Sequence, residues 1–381
     1  MATKQQTRAR ASLALLLALA GCGGQSSRID DSGSDSGSDA DADADADVDR
    51  DAGEDADGTA PGFWAWTPID APLPTSFVGD YSVLRIWAVA DDDIVLCSHN
   101  YDMEVGGLAR FDGETYIVET EEILCTDVWG APDGQVLAFG EDPGTGDDVV
   151  FARNGTSWAR EEVDGADGCS FEAFYATPDG MATLSATCAG RRMPFTRIGT
   201  SWAVSARWIA QPDRLTRVRG GYAEGSEVVF YGEGVAEGDG LVTAGAELGY
   251  PEATSFWAVE NERVGVVAVG LHRLWASSGA AWVEVAACPD VLPHDLSPCW
   301  DDGVELGASG VLLGGGCGSG DVSSQDRRLH FWDGARLRRV LEPCGGTSPY
   351  CGVDDLSATP ARVWAAVRQE WQMSLLWATR P

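Results

Sequence analysis

Short apolar, β-rich runs closed by glycine, proline, asparagine or aspartate succeed one another through most of the chain beyond residue 61. Residues 124 to 160 show it most clearly: LCTDVWGAPDG, then QVLAFGED, then DVVFARNG, then TSWARE. Each run has the length of a strand, and each break has turn chemistry. The unit recurs. Aligned on Trp129, equivalent positions fall at Trp87, Tyr175, Gly221, Trp257, Glu305 and Leu356, a period of roughly 45 residues. Its second half recurs as FDGETY (111 to 116), NGTSW (154 to 158), IGTSW (198 to 202), SSGAAW (277 to 282) and WDGARL (332 to 337).

Four short strands per repeat make a small antiparallel sheet that cannot bury both faces until its neighbours stack on it, which is the logic of a β-propeller blade. The expected fold is therefore all-β: a seven-bladed propeller over residues 61 to 381, with six or eight blades as alternatives. The last unit has only three strands of its own. The segment Gly62-Phe63-Trp64-Ala65-Trp66-Thr67-Pro68 has the character of an outer strand and is expected to complete that blade and close the ring. Trp87, Trp129, Trp158, Trp202, Trp257 and Trp282 occupy repeat positions and are read as packing between blades.

The N-terminus has a different pattern. Lys4, Arg8 and Arg10 precede the apolar run Ala11 to Ala20, which is about half the length needed to span a bilayer, so residues 1 to 21 read as a cleaved export signal. Leu19-Ala20-Gly21-Cys22 follows at the right distance and resembles the bacterial lipobox, which implies acylation of Cys22. Residues 22 to 60 then read as a disordered tether. Between residues 30 and 58 twelve Asp and one Glu face a single Arg50, a net −12 that keeps the segment extended. The Asp-x-Asp alternation does not make an EF-hand loop, since Arg50 stands where the run from Asp45 would need its glycine.

The lipobox, the Asp/Ser tether and the V-W and W-D-G repeats together resemble propeller-repeat lipoproteins of Gram-negative bacteria. That resemblance implies an architecture and an envelope location rather than a chemistry. It points to an outer-membrane anchor, because Gly23 rather than Asp follows the cysteine. The pattern differs from kelch, WD40 and sialidase repeats.

Composition narrows the partners. With 60 Asp+Glu against 26 Lys+Arg, the net charge is −34, which repels phosphate backbones and anionic lipid; no nucleic acid is expected, and membrane contact only through the lipid. Apart from Cys22 there are nine cysteines, and no C-x-x-C pair, so disulfides are expected rather than a metal site. Strand order brings Cys169 beside Cys188 and Cys299 beside Cys317; Cys97 and Cys125 stand at corresponding ends of adjacent blades, Cys344 and Cys351 can close a small loop, and Cys288 is left over.

These cysteines and every long loop fall on one face of the expected ring, the other face receiving only short turns. The loop face is the candidate ligand surface. Its candidate residues are His99, Tyr101, Arg191, Arg192, Trp208, His294, Trp300, Arg327, Tyr350 and Trp371: aromatic platforms for a glycan or peptide, arginines for carboxylates, and two histidines. No catalytic motif emerges, since H-E-x-x-H and G-x-S-x-G are absent. The glycine-rich Gly232-Glu233-Gly234-Val235-Ala236-Glu237-Gly238 has no following helix and carries acids that oppose a pyrophosphate, so no cofactor is expected. Three functions follow as expectations: a non-catalytic binder of an envelope protein or glycan, a carbohydrate hydrolase or lyase using acids such as Glu141, Asp142 or Asp295, or a purely architectural component of a larger envelope complex. Oligomeric state stays open.

Overall fold

The computed structural model describes residues 64–77, 82–101, 103–131, 133–177, 180–205, 215–224, 227–234, 256–261, 265–270, 273–277, 282–287, 302–306, 309–314, 329–341, 351–369 and 372–380. Its strands fall into seven antiparallel blades, numbered here along the chain. Blade 1 comprises Ser82–Ala90, Asp93–Asn100, Val105–Phe111 and Tyr116–Thr120; blade 2 comprises Leu124–Gly130, Val136–Glu141, Asp148–Asn154 and Ser157–Val163. Blade 3 is Cys169–Ala176, Ala182–Cys188, Arg191–Ile198 and Ser201–Val204, and blade 4 is described by Leu215–Glu224 and Glu227–Gly234. Blades 5 and 6 run Phe256–Asn261 to Trp282–Ala287 and Asp302–Glu305 to Leu337–Leu341. Blade 7 combines Cys351–Ala358, Arg362–Gln369 and Gln372–Thr379 with Thr67–Pro68 from the other end of the chain, so the expected strand exchange closes a β-propeller.

First strands of neighbouring blades pack against one another, as between blades 7 and 1, 1 and 2, 3 and 4, and 6 and 7. At the seam between blades 7 and 1, the backbone N–H of Ile86 donates to Asp355 Oδ2 at 2.5 Å and that of Ala88 to Ser357 Oγ at 2.9 Å. At the rim, the outer strands of blades 2 and 3 pair in parallel, Ser201 opposite Glu162 and Trp202 opposite Val163.

Period-two alternation explains how one strand serves two interfaces. In Asp93–Asn100, Ile94 and Leu96 pack with Trp364, Ala366 and Leu375 of blade 7, while Val95 and Cys97 pack with Val128, Val136 and Ala138 of blade 2. The blade 2–3 interface is aromatic, built from Phe139, Phe171, Phe174 and Trp202, with Trp129 stacked on Phe174 at 5.9 Å. Trp87 also packs between blades. Its ring lies where a side chain on Gly130 would stand, 2.3 Å from an ideal Cβ, so only glycine lets blades 1 and 2 approach there.

A polar clamp repeats across two interfaces. Glu161 of blade 2, buried, accepts from Arg197 (3.0 and 2.7 Å) and from the Trp202 indole (2.8 Å), both of blade 3. One blade earlier, Glu119 accepts from the Trp158 indole at 2.7 Å and lies 3.5 Å from Arg153. Each arginine also reaches the first turn of the preceding blade: Arg153 meets Asp93 at 2.8 and 3.0 Å, and Arg197 meets Asp133 at 3.3 Å. The F-x-R-x-G-T-S-W segments at 151–158 and 195–202 thus supply both cations and both indoles.

Candidate functional site

The contacts above define two faces. First turns and third-to-fourth turns share one face, tied across blades by Arg153–Asp93 and Arg197–Asp133, and at the seam by Arg362 donating to the Asp91 carbonyl at 2.9 Å. On the opposite face first strands begin and second strands end. The longest described loop there, Asp142–Asp147, is organised by Asp142, which accepts the N–H groups of Gly144 (2.8 Å) and Thr145 (3.2 Å) and pairs with Arg160 at 2.8 Å. Those contacts hold its carboxyl below the usual range.

Two disulfides brace this face. Cys169 and Cys188 are register partners within blade 3, with Cα atoms 4.2 Å apart. Cys97 and Cys125 join the second strand of blade 1 to the first strand of blade 2, with Cα atoms 5.3 Å apart, and both are fully buried. Ala189 and Gly190, with φ of 49° and 77°, make the two-residue turn that returns the chain from Cys188 to Arg191. Cys288, Cys299, Cys317 and Cys344 lie outside the described residues, as does the side chain of Cys351.

Four of the ten candidate ligand residues are described. His99 and Tyr101 come together at the end of the second strand of blade 1, ring centroids 4.0 Å apart. His99 is 8 % exposed, and burial lowers its imidazole pKa, which keeps it neutral near pH 7. Arg191 is exposed beside the Cys169–Cys188 bridge, while Arg192 turns inward and its Nε donates to Glu172 at 3.2 Å. Trp208, His294, Trp300, Arg327, Tyr350 and Trp371 lie outside the described residues, as does Asp295.

The structure adds carboxylates that the repeat pattern does not single out. In blades 2, 3 and 7 the register of the first strand skips one residue: Thr126, Glu172 and Asp354. Each stands four positions before the last register pair of its strand, at Gly130, Ala176 and Ala358, so these three blades share the bulge at one repeat position. Glu172 accepts from Thr187 (2.6 Å), Ser185 (3.2 Å) and Arg192. Asp354 pairs with Arg368 at 2.7 Å, and Arg85 donates to its carbonyl at 2.6 Å; burial outweighs both cations and raises its carboxyl above the usual value. Asp148, at the start of the third strand of blade 2, accepts the N–H of Phe171 in blade 3 at 2.6 Å. Burial, assisted by Glu141 and Asp147, pushes its pKa up to about 6. Among the described residues no group of three or more histidine, cysteine or acidic side chains converges as a metal site would require.

No family model and no curated protein matches the chain. Among solved structures, the extracellular domain of the putative hybrid two-component system BT4673 from B. thetaiotaomicron superposes with a TM-score of 0.55 at 8 % identity, covering 83 % of this chain and 42 % of that one. A catalytically inactive variant of virginiamycin B lyase from Staphylococcus aureus with quinupristin gives 0.49 at 7 % identity, over 82 % and 99 % of the two chains. The β-propeller domain of the Trilobed protease from Pyrococcus furiosus gives 0.34 at 10 % identity, over 79 % and 84 %. These are likenesses of fold.

Proposed function

We propose that this is an exported, lipid-anchored protein of a bacterial cell envelope, whose propeller binds a protein or glycan through its disulfide-braced loop face without transforming it. The observation that carries the reading is the pair of disulfides, Cys97–Cys125 and Cys169–Cys188, both on the strands and turns that support that face. Such bonds persist in oxidising compartments, in agreement with the export signal and with Cys22 in a lipobox-like setting. Several carboxylates of the face are engaged in holding structure: Asp142 caps its own loop, and Glu172 and Asp354 are paired with arginines of their own blades. Arg191, Tyr101 and the loop aromatics outside the described residues supply the contacts a ligand would use.

A second reading, hydrolysis of an envelope carbohydrate, has one specific observation in its favour. Asp148, with its pKa near 6 and Glu141 close by, has the character of a general acid. The deciding measurement presents the protein to arrays of glycans and envelope proteins beside its Trp208, Trp300 and Trp371 triple alanine variant, with product release assayed on every hit. Binding without turnover, weakened at least about tenfold in the variant, is the expected result. Full retention by the variant removes these aromatics from the binding face, and turnover abolished by Asp148→Asn moves the assignment to the hydrolase.

A further inference from the structure

We infer that the ring is built to yield at the seam between blades 3 and 4, which opens to water ahead of the seams that join blades 7, 1, 2 and 3, while blade 3 keeps its own shape. The observation that carries this is the character of the face that blade 3 turns toward blade 4. In the second strand of blade 3, Ala182, Leu184 and Ala186 belong with Leu137, Phe139 and Val150 of blade 2 to one apolar core. Alternation turns Thr183, Ser185 and Thr187 to the other face, with their register partners Thr196, Pro194 and Arg192 in the third strand. Glu172 lies on that side too, since it accepts from Ser185, Thr187 and Arg192. Thr183 is 1 % exposed, Ser185 0 % and Thr196 9 %, so an interior surface is made of hydroxyl groups, and the first strands of blades 3 and 4 pack beside it.

Other second strands turn apolar residues to the next blade: Val95 and Cys97 from blade 1, Leu137 and Phe139 from blade 2, Trp364 and Ala366 from blade 7. Burial of such side chains draws two blades together, whereas a buried hydroxyl needs a hydrogen-bond partner to offset its lost hydration. Ser185 and Thr187 find one in Glu172 of their own blade. Thr183 Oγ1 has none, so the closed seam bears an uncompensated desolvation that water relieves when the seam opens. On its other side blade 3 is firmly held. Its outer strand pairs with that of blade 2, Glu161 binds Arg197 and Trp202, and the Cys169–Cys188 bridge ties its first two strands. Blades 2 and 3 therefore move as one body, and the motion falls at the next seam.

Thiol trapping of the full-length protein under native conditions tests this. Thr183→Cys reports on the seam with blade 4. Ala186→Cys, in the same strand, reports on the seam with blade 2, and Ala366→Cys on the seam between blades 7 and 1; both alanines are fully buried. Each variant is mixed with a maleimide, and modification of the peptide carrying the new cysteine is followed by mass spectrometry, with its rate in denaturant as reference. Unfolding of the strand bares residues 183 and 186 together, whereas opening of the seam bares 183 alone. Modification at 183 should be at least about tenfold faster than at 186 or 366. Equal rates at 183 and 186, or a faster rate at 366, overturns the inference. Ser185→Cys is a second reporter of the same seam, to be used if Thr183→Cys does not fold, and it also tests the cause. Adding Thr183→Val to it should slow trapping at 185 at least about fivefold, because a methyl group in place of the unpartnered hydroxyl favours the closed seam. An unchanged rate removes the hydroxyl layer as the cause, and the inference with it.

Discussion

Asp148 carries a cost at neutral pH that its neighbours define. Its carboxylate accepts one strong backbone hydrogen bond across the blade 2–3 junction, yet burial and the nearby Glu141 and Asp147 raise its pKa to about 6. A carboxyl whose folded pKa lies above its unfolded value of 3.8 binds its proton more tightly in the native state. Stability from this group therefore increases as pH falls through about 6 and is complete below the unfolded pKa. Asp148→Asn keeps an oxygen for the Phe171 N–H and removes the charge. It should stabilise the protein at pH 7.5, by about 1 kcal/mol once solvent screening is discounted, and give no gain at pH 4. Denaturant titrations of both proteins at the two pH values check this, and an equal difference at both would mean that ionisation is not the cause. Nothing in the local sequence marks Asp148. Its hydrogen-bond partner, Phe171, is 23 residues away in another blade.

At the scale of strands, the clamp formed by Glu161, Arg197 and Trp202 shows how an acidic chain holds its blades together. Apolar surfaces supply most of the interface, and the clamp fixes how far one outer strand slides against the next. Removing one partner of a buried pair leaves the other charge exposed to a poor solvent. Glu161→Gln should cost about 3 kcal/mol, a fall of roughly 4–5 °C in Tm, and should shift the emission of Trp202. An unchanged Tm would show that Asp133, 3.3 Å from Arg197, compensates by itself. The repeats N-G-T-S-W and I-G-T-S-W reveal the turn and the inter-blade tryptophan, because both are local. The glutamate that receives the indole stands 41 residues before Trp202 and has no motif of its own.

For the ring as a whole, closure depends on a strand of two residues, Thr67 and Pro68, backed by Trp64 and Trp66. Pro68 lacks a donor, which an outermost strand tolerates. Truncation to residue 69 should therefore leave Gln372–Thr379 as an open edge, lower Tm by at least several degrees and promote association, whereas truncation to residue 61 should do neither. Thermal melts with light scattering distinguish the two, and indifference to the loss of residues 61 to 68 would mean that blade 7 closes without its borrowed strand. The period, the all-β class, the borrowed strand and two disulfide pairings were legible from residue spacing. The first-strand bulges and the carboxylates they present were not, because a bulge shifts register by one residue without changing composition.

The sequence by itself determined what depends on neighbours along the chain: short apolar runs make strands, glycine and asparagine make turns, and a recurring spacing makes similar blades that must stack. It also separated an acidic, core-poor leader from a strand-rich domain, since charge density and apolar content change abruptly near residue 61. Tertiary structure decided which side chains meet across blades. Those outcomes depend on contacts between residues far apart in the chain, from 23 residues for Asp148 and Phe171 to 269 for Ile86 and Asp355. Over such separations only the closed ring, by fixing the angle and distance between blades, brings a particular acid to a particular partner.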